Sequence, residues 1–365
     1  MTGLAGNDPA RVRAFVDLCQ DHDSRDLVAN LSTRFERMEI AGLSFPLTVN
    51  DGAPTCYICH PTTGYIDYAL EETRNFAAHP LVRAPLSALI RAARPLVRAS
   101  GLDRQVQVNN WLFSTNPAPA LDPPAAVALR DTLLARFPGR AILLRSLNPM
   151  ADAATMEALR LAGFRMLPAR QVYLFTDPAG ARVTGDMRRD RALLAGTTLR
   201  RVGNEGFTAA DYTTCAKLYA DLYLRKYSAL NPAYTPAFVQ EMHRAGLLHL
   251  EGLREGRDLV AFTAFFASGR TLTQPLVGYD TSRPVKEGLY RMMMQIGRDH
   301  AAQRGLFFNC SAGAAGFKRL RGGVPVIEYT AAYVGHLPLP RRLATRVMEA
   351  LLRGIGVPLM ERFEL

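Results

Sequence analysis

The spacing of apolar residues changes several times along the chain and divides it into helices and strands. In the first half, apolar positions three and four residues apart predict amphipathic helices over residues 11–19 and 27–38. Farther on, the predicted strands are 55–59, 106–113, 141–146 and 171–175, and the predicted helices are 80–98, 124–137 and 154–162. Residues 177–195 combine a turn cluster with a charged run, which predicts a connector.

The second half has a clearer succession of elements. A strand over 198–202 precedes Thr208, a natural N-cap for a long helix that ends near residue 227. A second helix follows at 236–246. The later predictions are strands at 248–253, 259–266, 272–279, 306–310 and 326–334, a helix at 288–304 and a short helix at 314–320. The predicted order is therefore β-α-α-β-β-β-α-β-α-β.

This order over residues 198–334 resembles the GNAT superfamily of acyltransferases. The first half also ends in a manner similar to a GNAT domain, with a helix, a strand, a short helix, Ala162-Gly163-Phe164-Arg165 and a strand. The resemblance implies an α/β fold of two tandem GNAT-like domains forming a pseudo-dimer, each a mixed, mostly antiparallel sheet flanked by helices. We expect residues 1–180 to form a degenerate domain for acceptor binding or structure, and 181–365 the catalytic domain with a terminal helix.

The turn before the 288–304 helix corresponds to the family's pyrophosphate site. There, backbone N–H groups at a helix N-terminus hold the phosphates of the acyl carrier. Of the usual Arg/Gln-x-x-Gly-x-Gly/Ala pattern, Arg283 and Gly288 are present, the middle glycine is missing, and Pro284 has no N–H to donate. The resemblance assigns donor binding to Arg283, Lys286, Gly288 and Arg291, with acyl-CoA or a phosphopantetheinyl carrier as the donor substrate.

A second stretch resembles a subgroup of the superfamily. Gly305-Leu306, a strand, a Gly-rich turn and Phe317-Lys318 followed by Gly322 are similar to the ending of FemABX-like aminoacyl transferases, which are tandem GNAT proteins. That resemblance places Lys318 near the reacting carbonyl, where its ammonium would stabilise the oxyanion.

The remaining candidates come from residue chemistry. Acyl transfer to an amine needs a base for the amine and an acid for the leaving group, and the candidates are Glu328, Tyr329, Tyr279, Asp280 and Tyr290. Glu328 and Tyr329 are adjacent on a strand, so at most one of them faces a cleft. Three patches that mix aromatic and polar residues predict acceptor contacts. The predicted acceptor-binding residues are Asp67, Glu71, Trp111, Arg225, Lys226 and Tyr227.

Charge is distributed unevenly between the halves. The chain has 365 residues and a net charge of +11. Through Asp177 there are 18 basic and 17 acidic residues, whereas the remainder has 26 basic and 16 acidic residues. An anionic partner for the second half is therefore expected: the phosphates of coenzyme A, an acidic carrier protein or RNA. The alternative is a generally basic surface.

The sequence contains no long uncharged apolar run and no leader pattern at its start, so we expect a cytoplasmic protein with no membrane partner.

Cys56-Tyr57-Ile58-Cys59-His60 matches the C-x-x-C-H pattern of haem attachment, but in the predicted strand the two cysteines point to opposite faces. Zinc ligands with matching spacing are missing, and His243, His249 and His300 are interpreted as structural. No metal and no tightly bound cofactor are predicted.

Together these features predict an enzyme, an N-acyltransferase. It would move an acyl or aminoacyl group from a thioester (CoA or carrier protein) or from an aminoacyl-tRNA to the amine of a small molecule or amino acid. A role in the biosynthesis of a specialised metabolite, and a monomer or homodimer, are expected. Two other interpretations stay open: a non-catalytic GNAT-fold module that binds RNA or an acidic protein through its basic half, and a haem protein.

Overall fold

The computed structural model describes residues 7–76, 80–177 and 183–364. The strands are β1 Arg34–Ile40, β2 Leu43–Asp51, β3 Arg104–Val108, β4 Ala141–Leu147, β5 Arg165–Phe175, β6 Arg200–Val202, β7 His249–Glu255, β8 Asp258–Ser268, β9 Thr271–Tyr279, β10 Phe307–Asn309 and β11 Val324–Tyr333. All of them belong to one mixed sheet, in the order β1-β2-β3-β4-β11-β5-β10-β9-β8-β7-β6.

Helices flank this sheet. They are α1 Pro9–Gln20, α2 Ser24–Leu27, α3 Ala69–Phe76, α4 Pro80–Ala99, α5 Pro123–Arg136, α6 Ala153–Leu161, α7 Gly185–Gly196, α8 Ala209–Tyr219, α9 Pro236–Arg244, α10 Leu289–Arg304, α11 Ala315–Arg319, α12 Leu339–Leu351 and α13 Val357–Phe363. Three π-helical segments extend them, at Thr63–Tyr68, Ala220–Arg225 and Leu352–Gly356. No helix within the described residues is long and apolar enough to cross a membrane.

The sheet has an internal two-fold pattern. β2 pairs antiparallel with β3, which pairs parallel with β4, and β8, β9 and β10 repeat this arrangement in the second half. At the centre the last strands of the halves cross over. β11 pairs with β4 of the first half, β5 pairs with β10 of the second half, and β5 and β11 pair with each other. Neither half therefore completes its sheet alone.

A shared core reinforces this crossover. Trp111 is fully buried and packs against Phe15 of the first half and Phe266 of the second, with ring centroids 5.0 and 4.9 Å away. Phe113 lies in the same cluster and packs against Phe266 and Phe238. The predicted boundary between residues 180 and 181 lies outside the described residues and stays a prediction.

Most of the predicted elements are present, with bounds shifted by a few residues, but the first half differs in three places. The helix predicted at 27–38 is wrong: α2 ends at Leu27, and exposed Arg37 and Glu39 alternate with Met38 and Ile40 along β1, a period of two residues. The predicted strand 106–113 ends early, at Val108, because Asn109 has a φ of 58°.

The segment 55–59 is not a strand, because its backbone bonds to itself: Cys59 N–H donates to Cys56 O at 3.0 Å. The predicted connector at 177–195 is also corrected. Residues 178–182 lie outside the described part, but Thr184 caps α7, which covers most of the rest. The charged run belongs to this helix, and its Asp190 is buried rather than solvated.

Candidate active site

The parallel strands β9 and β10 separate soon after they begin. Their pairing covers three residues and ends at the pair Asn309–Thr273, whereas β9 continues to Tyr279. After β10 the chain turns away, with Ser311 at a φ of 56°. The later part of β9 therefore borders a gap in the sheet, which we call the wedge. Among the described residues, the backbone of this part of β9 has no strand partner on that side, and it can bond a ligand in an extended conformation.

Tyrosine side chains cluster beside the later part of β9, which carries Tyr279. Ring centroids are 6.2 Å apart for Tyr279 and Tyr290 and 6.1 Å for Tyr223 and Tyr227. The phenols of Tyr223 and Tyr57 also interact electrostatically, which extends the row to the loop after β2. We call this cluster the tyrosine cleft; its residues are Tyr57, Tyr68, Tyr223, Tyr227, Tyr279 and Tyr290.

Burial alters the acidity of the phenols in this tyrosine cluster. The side chains of Tyr68, Tyr279 and Tyr290 are half-buried. Burial raises the pKa of Tyr279, and it raises the pKa values of Tyr68 and Tyr290 well above the usual value. At neutral pH these groups carry their protons. They can therefore donate a proton to a leaving group, but they are poor bases.

Lys318 lies beside Cys310, whose thiol interacts electrostatically with Tyr223 and Tyr290 of the cleft. It is buried, and its ammonium donates to the carbonyl oxygens of Cys310, Ser311 and Ala312 at 2.7, 3.0 and 2.8 Å. Burial lowers the pKa of Lys318 to about 8. All three N–H groups are thus committed to the loop after β10, so in this structure Lys318 positions that loop. An oxyanion role requires it to exchange one carbonyl for the substrate oxygen.

A buried ion pair sits next to this loop. The Arg170 guanidinium donates to both oxygens of Glu328, at 2.9 and 3.3 Å, and Glu328 is only 2% exposed. Arg170 also donates to Thr115 at 2.8 Å, and the Thr115 hydroxyl bonds that of Ser311 at 3.2 Å. One network therefore connects the crossed central strands to the loop that Lys318 holds.

Glu328 and Tyr329 point to opposite faces, as adjacent strand residues must. Tyr329 is half-buried and packs on the core cluster of the first half. The structure gives no support to Tyr329 as a catalytic residue, because it faces away from Arg170 and the cleft. Glu328 is on the cleft side, but its carboxylate is held by Arg170.

In the predicted phosphate turn, the arginine is already paired with neighbouring carboxylates. Arg283 bonds Glu287 at 2.6 Å and Glu255 at 2.9 Å, so its charge is already paired. Lys286 is exposed. Gly288 begins α10 at a φ of 69°, which favours glycine.

Arg291 is also engaged, because it donates to Asp190 of α7 at 2.6 Å. Asp190 additionally accepts from Arg321, so one buried carboxylate joins α7, α10 and the segment after α11. Of the four predicted donor-binding residues, Lys286 keeps an exposed charge and Gly288 shapes the turn, whereas the two arginines are held by carboxylates.

The predicted acceptor residues do not converge. Trp111 has no exposed surface, so the structure does not support a substrate contact for it. Asp67 accepts from Arg94 and Arg225 pairs with Asp221. The other three lie nearer the cleft. Glu71 accepts from Ser228, Lys226 is 5.8 Å from the ring centroid of Tyr227, and Tyr227 belongs to the cleft.

Asp152 is a candidate that sequence reasoning missed. It precedes α6, and its carboxylate accepts from the backbone and side-chain N–H groups of Asn148 at 2.9 and 3.1 Å. Burial raises the pKa of Asp152 to about 7, and repulsion by Glu328 adds to the effect. A carboxylate with that pKa suits a general base. Its sequence signal, Asn148-Pro149 followed by an aspartate, is indistinguishable from an ordinary helix start.

In the first half, the place that corresponds to the wedge is filled by buried side chains. The loop after β3, which corresponds to β9, carries Trp111, Leu112 and Phe113, all fully buried. The C-x-x-C-H segment offers no open thiol either. Cys56 and Cys59 are buried, and burial raises their pKa values to about 12 and about 11.

No protein-family model and no curated protein sequence matches this chain. Several solved structures, in contrast, are similar to this chain. L-PGS from Bacillus licheniformis is similar over 96% of this chain and 99% of its own, with 14% identity and a TM-score of 0.50. FemX (10% identity, TM-score 0.45) covers 61% of this chain and 81% of its own. A tandem GNAT protein from the clavulanic acid biosynthesis pathway (13% identity, TM-score 0.38) covers 90% and 97%. The similarity to L-PGS spans both halves and shows a shared fold. The predicted fold class is confirmed.

Proposed function

We propose that this chain, a tandem GNAT-like fold, is an N-acyltransferase or aminoacyltransferase that binds its donor in the wedge. The wedge carries the proposal: two parallel strands separate after the Asn309–Thr273 pair, and the gap leads into a cleft lined by protonated phenols. An extended acyl carrier can bond the free edge of β9, with its reactive carbonyl towards the network of Arg170 and Lys318.

The groups around the cleft match the needs of amine acylation. The attacking amine must lose a proton, and the proposed base is Asp152, which interacts electrostatically with Glu328 of the Arg170 ion pair and has a pKa of about 7. The leaving thiolate or hydroxylate must gain a proton, and Tyr279 or Tyr290 supplies it. Arg170 is half-buried beside the reaction centre and favours the developing negative charge. Because Trp111 and its neighbours fill the equivalent place in the first half, the donor binds in the second half, and the first half contributes Asp152 and Arg170.

The donor class follows from the phosphate turn. With Arg283 paired to two carboxylates, Lys286 is the predicted donor-binding cation that keeps an exposed charge. This favours a donor recognised chiefly through its extended arm and carrier: a phosphopantetheinyl carrier protein or an aminoacyl-tRNA, with acyl-CoA as the third candidate. The acceptor is the amine of a small molecule or amino acid, in specialised-metabolite biosynthesis.

The donor test is thermal stabilisation of the purified protein by acetyl-CoA, longer acyl-CoAs, CoA, a phosphopantetheinylated carrier protein and aminoacyl-tRNA. A ligand of the native state raises the melting temperature by mass action. For a phosphate-bearing donor at this turn, Lys286→Ala reduces the shift and Lys217→Ala, an exposed lysine on α8, leaves it unchanged. Salt-sensitive RNA binding with no acyl transfer would instead support the non-catalytic module.

The base is tested by the pH profile of transfer once a donor is known. Activity needs the ionised Asp152, so kcat/KM rises as pH increases through about 7 in the wild-type protein. In Asp152→Asn this rise is lost and the rate falls by about 100-fold or more. The control is Asp122→Asn, an N-cap aspartate of α5, which keeps the profile. An unchanged profile in Asp152→Asn rejects Asp152 as the base.

A further inference from the structure

A compact group of potential ligands lies outside the tyrosine cleft, on β7 and α10. His249 and Glu251 are two residues apart on β7, so their side chains leave the same face of the sheet. His300 of α10 meets them there. The Glu251 Oε1 atom is 3.6 Å from His249 Nε2 and 3.5 Å from His300 Nδ1. The three ligand atoms all lie within 4.8 Å of one another.

These separations are longer than hydrogen bonds but have the length of the edges of a coordination shell. An N–H···O bond spans about 2.7–3.2 Å. Two ligands of a tetrahedral zinc ion, each about 2.0–2.2 Å from the metal, are about 3.4 Å apart. The Glu251 oxygen has this spacing to both histidines at once. The two histidine nitrogens lie within 4.8 Å of each other, so binding of an ion requires the half-exposed His249 to rotate towards His300.

The surroundings hold the carboxylate in a ligating orientation. Arg201 Nε donates to Oε2 of Glu251 at 2.8 Å, and the Arg201 Nη2 bonds the same oxygen. Oε1 is left facing the histidines. A partner that fixes the outer oxygen of a ligating carboxylate is typical of metal sites.

The aromatic neighbour of the histidines and the exposure of the three side chains also suit a metal site. The Phe265 ring stacks on His300, with centroids 4.5 Å apart, and is 6.3 Å from His249. Glu251 and His300 are buried, whereas the side chain of His249 is 38% exposed. An ion would therefore have an entry path and one coordination position open to water.

We infer that His249, Glu251 and His300 form a binding site for one divalent transition-metal ion, with zinc as the best match. Two imidazoles and one carboxylate suit zinc, and neutral imidazole is its common ligand at neutral pH. Arg201 donates only to Oε2, so Oε1 stays available to the ion. This site is independent of the proposed acyl transfer, because none of its residues lines the cleft.

The test uses the full chain, free of any histidine tag and stripped with EDTA, titrated with ZnCl₂ by calorimetry. Wild type is expected to bind one zinc per chain and to melt at a higher temperature with zinc. His249→Gln and Glu251→Gln lose saturable binding, and Arg201→Gln binds about 10–100-fold more weakly. The matched control is His243→Gln, whose histidine bonds Tyr212 and Asn204 instead, and it binds like wild type.

Unfolding in EDTA checks that the variants are folded. His249→Gln changes a half-exposed side chain, so it carries the test even if Glu251→Gln is unstable. Absence of zinc binding by the wild-type protein overturns the inference. So does wild-type affinity in His249→Gln, which would place the ion elsewhere.

Discussion

Glu328 is a predicted catalytic residue, but in the structure its carboxylate forms an ion pair with Arg170. Its carboxylate is 2% exposed and carries both bonds from Arg170. We predict that Glu328→Gln lowers the free energy of unfolding by about 3 kcal/mol, because it leaves the half-buried Arg170 charge without its carboxylate partner. Urea unfolding measures this. Glu157→Gln breaks an exposed pair with Arg160 and changes stability by less than about 1 kcal/mol. Equal effects of the two substitutions would contradict the prediction.

At the same scale, the sequence indicates which residue types matter but not what they touch. Lys318 was singled out by its Phe-Lys context, and the structure does place it beside the cleft. Its three carbonyl partners follow from the loop conformation after β10, which no local pattern specifies. Trp111 looked like a pocket residue because it follows two asparagines, yet it fills the core. Asp152 gave no signal, since its pKa depends on burial by distant segments.

At the scale of the element, the start of α10 depends on a glycine for two separate reasons. Gly288 has a φ of 69°, and a Cβ at this position would lie 2.5 Å from Leu193 Cδ2 of α7. We predict that Gly288→Ala destabilises the protein by more than the roughly 1–2 kcal/mol of the backbone strain alone. Gly305→Ala isolates the strain, because its φ is 63° and nothing lies within 4 Å of the added Cβ.

A double-mutant cycle separates the two effects in urea unfolding. In a Leu193→Ala background the contact with α7 is gone. Gly288→Ala should then lower the free energy of unfolding no more than Gly305→Ala does. If Gly288→Ala lowers the free energy of unfolding equally in both backgrounds, the added Cβ does not clash with Leu193 of α7.

Elements in the second half were predicted well because turns and caps punctuate them: Thr235 caps α9 and Gly305 closes α10. The predictions failed where such signals were ambiguous, in the first half and at the connector between the halves. The charged run of α7 has the composition of a solvated linker, but buried Asp190 pairs with Arg291 and Arg321 and anchors the helix. That pairing joins residues more than a hundred positions apart, which a local pattern does not contain.

For the whole molecule, the tandem organisation was predictable from the resemblance to tandem GNAT proteins and from a first half that ends like a GNAT domain, but the crossover was not. Whether β5 stays beside β4 or exchanges with β11 depends on contacts between the halves. Either arrangement satisfies the same hydrophobic pattern along each strand. The wedge likewise follows from where the β9–β10 pairing stops, a property of the pair rather than of either strand.

The crossover has a consequence for unfolding. Because β11 lies between β4 and β5, and β5 between β11 and β10, loss of either half removes neighbours from the other. We therefore predict a single cooperative urea transition. Trp111 is the sole tryptophan and packs between Phe15 and Phe266, so its fluorescence reports on the shared core, whereas circular dichroism reports on all helices. The two curves should coincide. Separate transitions would show that the halves fold independently, and that the contacts across the centre contribute less than the continuous sheet implies.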